Sequence, residues 1–259
     1  GATELAVLSV VNRYAELNGV LDSNANVRAY FVDSGNSVLG GRMGTNGRVP
    51  SGSVAVAVKV EATYDTFIAN VIGFPTLTAS AIGQGRYGSV GSATGLVPLS
   101  VRQFDFVFDQ PYSLWDNDPP GLFDISPGQR GYVYLDGLSN GGNKIKDWMA
   151  NGYPGVVTVG SLLDGKPGTV DVVVQDAYDR IVQGNGRQFV IVPLYDNAPV
   201  PPFHISGFAA FELTEAVFRG TDKYIKGKFV KMLVSHADFG GTVDTGLTTI
   251  KLTLPATLP

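Results

Sequence analysis

The sequence predicts an α+β protein, strand-rich, with mainly antiparallel sheets, an N-terminal helix and a few short helices. Three observations predict it. Near the start, Leu5, Leu8, Val11 and Ala15 recur at helical spacing and share one face. Further on, alternation takes over, clearest where Val54, Val56, Val58 and Val60 fall on one face and Ala55, Ala57, Lys59 and Glu61 on the other. Glycine supplies 33 of 259 residues, well above the ordinary share of about 7%. Much of it sits beside Asn, Ser or Pro, as turn and cap chemistry between short apolar runs.

The helix is expected over residues 3–18, with Thr3 as N-cap, Glu4 in the first turn and Asn18-Gly19 closing it. Strands follow between Val27 and Val60, with Gly35-Asn36 and Asn46-Gly47 as turns. Tyr64 to Val71 reads as one short helix ended by Gly73 and Pro75, ahead of a strand centred on Leu77 to Ile82. Tyr87 to Gly95 reads as a connection, and the alternation of Phe104, Phe106 and Phe108 as a strand. Asp116 to Pro120 is a strong turn cluster, where the boundary between two lobes, 1–115 and 116–259, is expected.

The second lobe is expected to open with a strand over Gly131 to Leu135. A helix over Lys144 to Ala150 follows, capped by Asn151-Gly152. Val174, Ala177 and Ile181 are spaced for one face of a helix over Asp171 to Val182. Strands are expected at Phe189 to Leu194, Phe203 to Thr214, Lys226 to Ala237 and Thr248 to Leu254. No fixed-period repeat occurs, which argues against a solenoid or propeller.

Composition removes several functions. The chain has no cysteine and two histidines, so thiolate catalysis, disulfide stapling and Cys- or multi-His-ligated zinc are excluded or nearly so. Charged residues are 16% of the chain and 19 basic against 23 acidic side chains leave a net charge of -4, too balanced for a dedicated polyanion binder. The longest chargeless stretch, Thr66 to Gly85, has about the length of a membrane span. Its Asn70, Pro75, Gln84 and four Thr or Ser argue against a transmembrane helix.

Four patterns could carry chemistry, and each has a plainer reading. Gly137-Leu138-Ser139-Asn140-Gly141 matches G-x-S-x-G, but Gly142-Asn143 delays the following helix, whereas a nucleophile elbow sets its serine at the strand-to-helix turn. Its histidine would be His204 or His236, and nothing marks the carboxylate. Asp116, Asp118 and Asp124 form an oxygen-rich cluster that is a weak calcium candidate, with Pro119-Pro120 where an EF-hand loop would place its glycine. Gly83-Gln84-Gly85 and Gly184-Asn185-Gly186 lack the Lys-Ser/Thr ending of a phosphate loop and read as turns. Lys223, Lys226, Lys228 and Lys231 interleave with Tyr224 and Phe229, but in a net-acidic chain they read as a strand face rather than a nucleic-acid site. No catalytic residue and no cofactor is expected.

Several stretches taken in order carry a resemblance. In the first half these are YAELNGV at 14–20, VAVAVKVEATYDTFIANVIGFPTLTASAIG at 54–83 and GLVPLSV at 95–101. DWMANGYPGVVTVGSLLDGKPG at 147–168, IVPLYD at 191–196, FHISGFAAFELT at 203–214 and YIKGKFV at 224–230 follow. Together, over most of the chain, they resemble the TadE/TadG-like proteins associated with tight-adherence (Flp) pilus loci. The resemblance implies an exported, non-enzymatic protein of the cell surface, a pilin-like subunit or accessory part of a filament. Its partners would be copies of itself or other pilus and envelope proteins. Membrane attachment would come only through an N-terminal segment that this chain, opening on Gly1, does not contain.

Within that expectation the C-terminal strand is the candidate contact. Ile250, Leu252 and Leu254 alternate with Thr249, Lys251 and Thr253, so the segment could add to a neighbour's open sheet or pair within its own. The alternative function is a secreted binding module or hydrolase acting on carbohydrate or peptide. It draws on Trp115, Trp148, Tyr153, the acidic turn and Ser139.

Overall fold

In chain order the elements are α1 (Glu4–Leu17), α2 (Ser23–Asn26), β1 (Val27–Val32), β2 (Val38–Leu39), β3 (Ala55–Asp65), α3 (Ile68–Val71) and β4 (Thr76–Ala93). Then come β5 (Val101–Arg102), β6 (Pro111–Trp115), α4 (Gly142–Asn151), β7 (Val157–Thr158), β8 (Leu162–Leu163) and α5 (Asp171–Gln183). The chain ends with β9 (Phe189–Tyr195), β10 (Phe203–Val217), β11 (Tyr224–Val230), β12 (Met232–Val234), β13 (Ala237–Phe239) and β14 (Leu247–Thr253). This computed structural model describes residues 3–20, 22–45, 47–103, 107–115, 132–138, 142–165, 171–196, 202–220, 223–235, 237–241 and 243–258. The class is α+β, with strands predominating and most pairings antiparallel.

Two compact units divide the chain, one of Gly1–Tyr87 with Ile250–Pro259, the other of Gly88–Thr249. The 116–120 turn cluster, where a lobe boundary is expected from sequence, lies outside the described residues.

In the first unit the N-terminal helix forms as its capping residues dictate. Thr3 is extended and its hydroxyl accepts the Ala6 N–H at 3.3 Å, while Asn18 closes the helix. β3 pairs with β1 from Val27↔Val60 to Val32↔Ala55 and with β4 from Ala55↔Arg86 to Asp65↔Thr76. Val7, Leu8 and Val11 of α1 cover the face carrying Ala29, Phe31, Val56 and Val58. Glu4 is the buried residue of α1: its Oε1 accepts the Gly44 N–H at 2.8 Å and its carboxylate also accepts the Gly47 N–H. Glu4→Ala strands both donors, and is expected to lower unfolding free energy by about 2 kcal/mol, read as a fall in the urea midpoint.

Three expectations for β3, β4 and their connection are corrected. Tyr64 and Asp65 belong to β3, so the short helix is Ile68–Val71 alone. Gly83-Gln84-Gly85 is not a turn but part of β4, opposite Val58, Ala57 and Val56. The strand continues to Ala93 through the stretch expected as a connection. Glycine propensity loses here to a continuous ladder and to one side chain. Gln84 is buried, donates to Asn36 Oδ1 at 2.8 Å and Thr253 Oγ1 at 3.0 Å, and accepts the Ala256 N–H at 2.8 Å.

The second unit has the larger core. Its sheet runs β5-β9-β10-β11-β6, with β5 parallel to β9 and the other neighbours antiparallel. Phe203, Phe208, Phe211 and Phe229 are fully buried, and the Phe211 and Phe229 rings meet edge to face at 5.0 Å. α5 is helical as its spacing predicts and buries Val173, Val174 and Ala177. Arg180, also buried, donates to the Met149 and Arg187 carbonyls and so ties α5 to α4.

Other differences concern strand ends. Tyr132 and Val133 make only isolated bridges, to Leu99 and Gly165, rather than a strand over 131–135. Phe104 and Phe106 lie outside the described residues, and Phe108 sits in a turn. The single strand expected over 226–237 is broken because the chain changes partner: β11 lies beside β10, whereas β12 runs parallel to β14.

Asp176 is buried among α4 and α5 residues, and its Oδ2 makes no hydrogen bond among the described residues. Burial holds its pKa above the usual carboxylate range, with Asp179 adding to the effect and Lys146 and Arg180 opposing it. The folded state therefore holds this proton more tightly than the unfolded chain, and stability falls as pH rises from the ordinary carboxylate range through the raised value. Asp176→Asn is expected to remove that slope and to stabilise the protein at neutral pH by about 1 kcal/mol, measured by denaturant unfolding at several pH values.

Candidate interaction surfaces

The C-terminal strand is amphipathic in the reverse sense. Leu247 and Thr249 point inward and are buried, and Thr249 donates to the Ala237 carbonyl at 3.0 Å. Lys251 and Thr253 continue that face half-buried, Thr253 accepting from Gln84. The opposite face presents Ile250 and Leu252, and Leu254 just beyond the strand, to solvent, Leu252 at 89% and Leu254 at 86% exposure. A strand whose apolar residues face water while threonines are buried is satisfied on its polar side and unpaired on its apolar one. β14 is paired within its own sheet, parallel to β12 and beside β4. It therefore offers a row of side chains rather than a free backbone strand.

The hairpin of β3 and β4 makes a second surface. β1 leaves β3 at Val60, and from Glu61 to Asp65 the strand is paired with β4 alone. This two-stranded ribbon extends about 17 Å at ~3.4 Å per residue. Its tip, Thr66 to Pro75, holds the one-turn α3 and exposes Phe67, Ile68, Val71, Ile72 and Phe74, Phe67 at 93%. The tip is closed by its own hydrogen bonds: Thr66 N–H to the Pro75 carbonyl at 2.8 Å, the Thr66 hydroxyl to the Phe74 carbonyl, and Phe74 N–H to the Ala69 carbonyl at 2.9 Å. Sequence reasoning placed no site here, although the signal was present in the chargeless stretch Thr66 to Gly85.

Asp116, Asp118 and Asp124, Ser139 and His236 lie outside the described residues. Among the described residues there is no cluster of three or more His, Asp or Glu side chains placed to hold a metal ion. His204 is half-exposed, its Nδ1 2.8 Å from Asp196 Oδ2. Trp148 is buried and meets Tyr153 edge to face at 5.1 Å, filling the core. The lysines of the 223–231 segment have local partners: Lys226 lies 3.9 Å from Glu215 and over the Tyr224 ring, and Lys231 over Phe108. Lys228 is 3.2 Å from Glu212, whose hydrogen bond holds the lysine pKa above its usual range. No described helix is long and apolar enough to cross a membrane.

Comparison of the chain with protein-family models, with curated proteins and with solved structures gives no match.

Proposed function

We propose that the chain is a non-enzymatic extracellular structural protein, a pilin-like subunit or accessory component of a surface filament, of the TadE/TadG-like kind. Copies of the chain meet through the outward face of the C-terminal strand. The observation that carries this reading is the reversal of β14, with Ile250, Leu252 and Leu254 in water and Thr249 buried. Apolar residues gathered on one exposed strand mark a surface that is covered in the working state. The core of the first unit adds support. Its buried apolar clusters among the described residues are small, Val32, Ala55, Ala57 and Ala256 in one and Ala29, Phe31 and Met43 in the other, which leaves stabilisation to be gained from a neighbour.

Electron microscopy with light scattering on the full chain tests the reading. Filaments, or a mass that grows with concentration, are expected. A particle of single-chain mass at every concentration, with no filament on the cells that make the protein, overturns it.

A further inference from the structure

We propose that the tip of the β3–β4 hairpin inserts into the surface of an uncharged lipid bilayer, as a membrane contact separate from the β14 face. Four features point to lipid rather than to another protein chain.

The first is the absence of charge. From Thr66 to Gly85 there is no Asp, Glu, Lys or Arg, so the tip up to Pro75 can enter an apolar medium without desolvating an ion, while the returning strand stays beside Asp65 and Glu61 of β3. The nearest charges, Asp65 and Arg86, lie outside that run.

The second is the tip's backbone. Insertion into hydrocarbon penalises every unpaired N–H or C=O. Here Thr66, Ala69, Asn70, Ile72, Gly73, Phe74 and Pro75 are joined by hydrogen bonds within the tip. A surface built for strand addition would instead leave its backbone groups open.

The third is shape. The tip has ten residues at the end of a narrow ribbon of β3 and β4. Phe67, Ile68, Val71, Ile72 and Phe74 are all exposed at this narrow end, a shape suited to a finger entering a headgroup layer. The ribbon behind them is two-faced: Ala62, Tyr64, Leu77 and Ala79 share one side, and Glu61, Thr63, Asp65, Thr76, Thr78 and Ser80 the other. Thr63 and Thr78 hydroxyls meet at 3.0 Å across the polar side.

The fourth is the charge at the ribbon's foot. Glu61 Oε1 lies 2.9 Å from Lys59 Nζ and its Oε2 3.3 Å from Arg28 Nη2, so both cations are engaged by a carboxylate. With Asp65 above them and a net charge of -4 on the chain, no basic collar attracts anionic headgroups. The bilayer this tip fits is therefore zwitterionic, and its binding is insensitive to salt.

The test is flotation of the full chain with phosphatidylcholine vesicles. The wild type is expected to float equally at low and high salt, and Phe67→Ser/Ile68→Ser/Phe74→Ser to bind at least about tenfold more weakly while unfolding at the same denaturant midpoint. Because the chain has no cysteine, Ile72→Cys carrying an environment-sensitive dye gives a second reading, a blue shift on adding vesicles. Ile250→Thr/Leu252→Thr/Leu254→Ser should still float, which separates this proposal from the filament reading. A wild type that does not float, or a tip variant that floats as well as wild type, overturns the proposal. So does a tip variant that loses self-association but not flotation, which assigns the tip to copies of the chain.

Discussion

Ile250→Thr/Leu252→Thr/Leu254→Ser is expected to abolish association of the chain while leaving its fold intact. The three side chains stand in water, Leu252 and Leu254 almost fully. Their replacement removes little from the isolated protein, and surface changes of this kind stay within about 0.5 kcal/mol. In an assembly each is worth up to about 1.5–3 kcal/mol of burial. Losing all three weakens the contact by at least about a hundredfold. The inward residues Thr249 and Thr253, which hold β14 in place through Ala237 and Gln84, are untouched. Analytical ultracentrifugation checks the association and urea unfolding checks the fold. Equal loss in both would show that the face stabilises the monomer instead.

The second large effect concerns Gly227. It lies in β11 opposite Leu213, and a Cβ there would stand 2.1 Å from the Glu212 carbonyl oxygen and 2.3 Å from the Phe211 ring. That ring packs on Phe229 at the centre of the second unit's core and cannot retreat without opening it. Gly227→Ala is expected to cost about 3 kcal/mol, although alanine is normally among the mildest of substitutions. Thermal or denaturant unfolding reads the change directly. Gly184→Ala, by contrast, puts a Cβ at a glycine whose φ is positive, but no atom lies within 4 Å of it, so it should cost less than Gly227→Ala.

Local physics made much of the fold legible. The Thr3 cap, the α5 periodicity and the alternating valines of β3 each specify their element from neighbouring residues. What the sequence hid was decided by distant partners. Gly83 and Gly85 have turn chemistry, yet pairing with Val58 and Val56 draws them into β4. Lys231 interrupts an apolar run because the strands on either side belong to different sheets, a choice made by β10 and β14 rather than by the run itself.

The candidate contacts divide in the same way. Ile250, Leu252 and Leu254 could be singled out by alternation, but period two gives two faces and does not say which is outward. Only the burial of Thr249 settles that. The hairpin tip was visible as a chargeless stretch, and its asparagine, proline and hydroxyls argued against a transmembrane helix, in line with the strand it forms. That five of its large side chains gather at the end of a ribbon follows from the β3–β4 register, which one strand cannot reveal alone.

The most direct test of the central claim, that the outward face of β14 is where copies meet, uses the absence of cysteine from the chain. Leu252→Cys carries a single spin label on that face and is read by electron paramagnetic resonance as the protein associates. Immobilisation of the label, together with dipolar coupling between labels on different copies, is predicted. A label that stays mobile and uncoupled in a sample shown to be assembled would contradict the account.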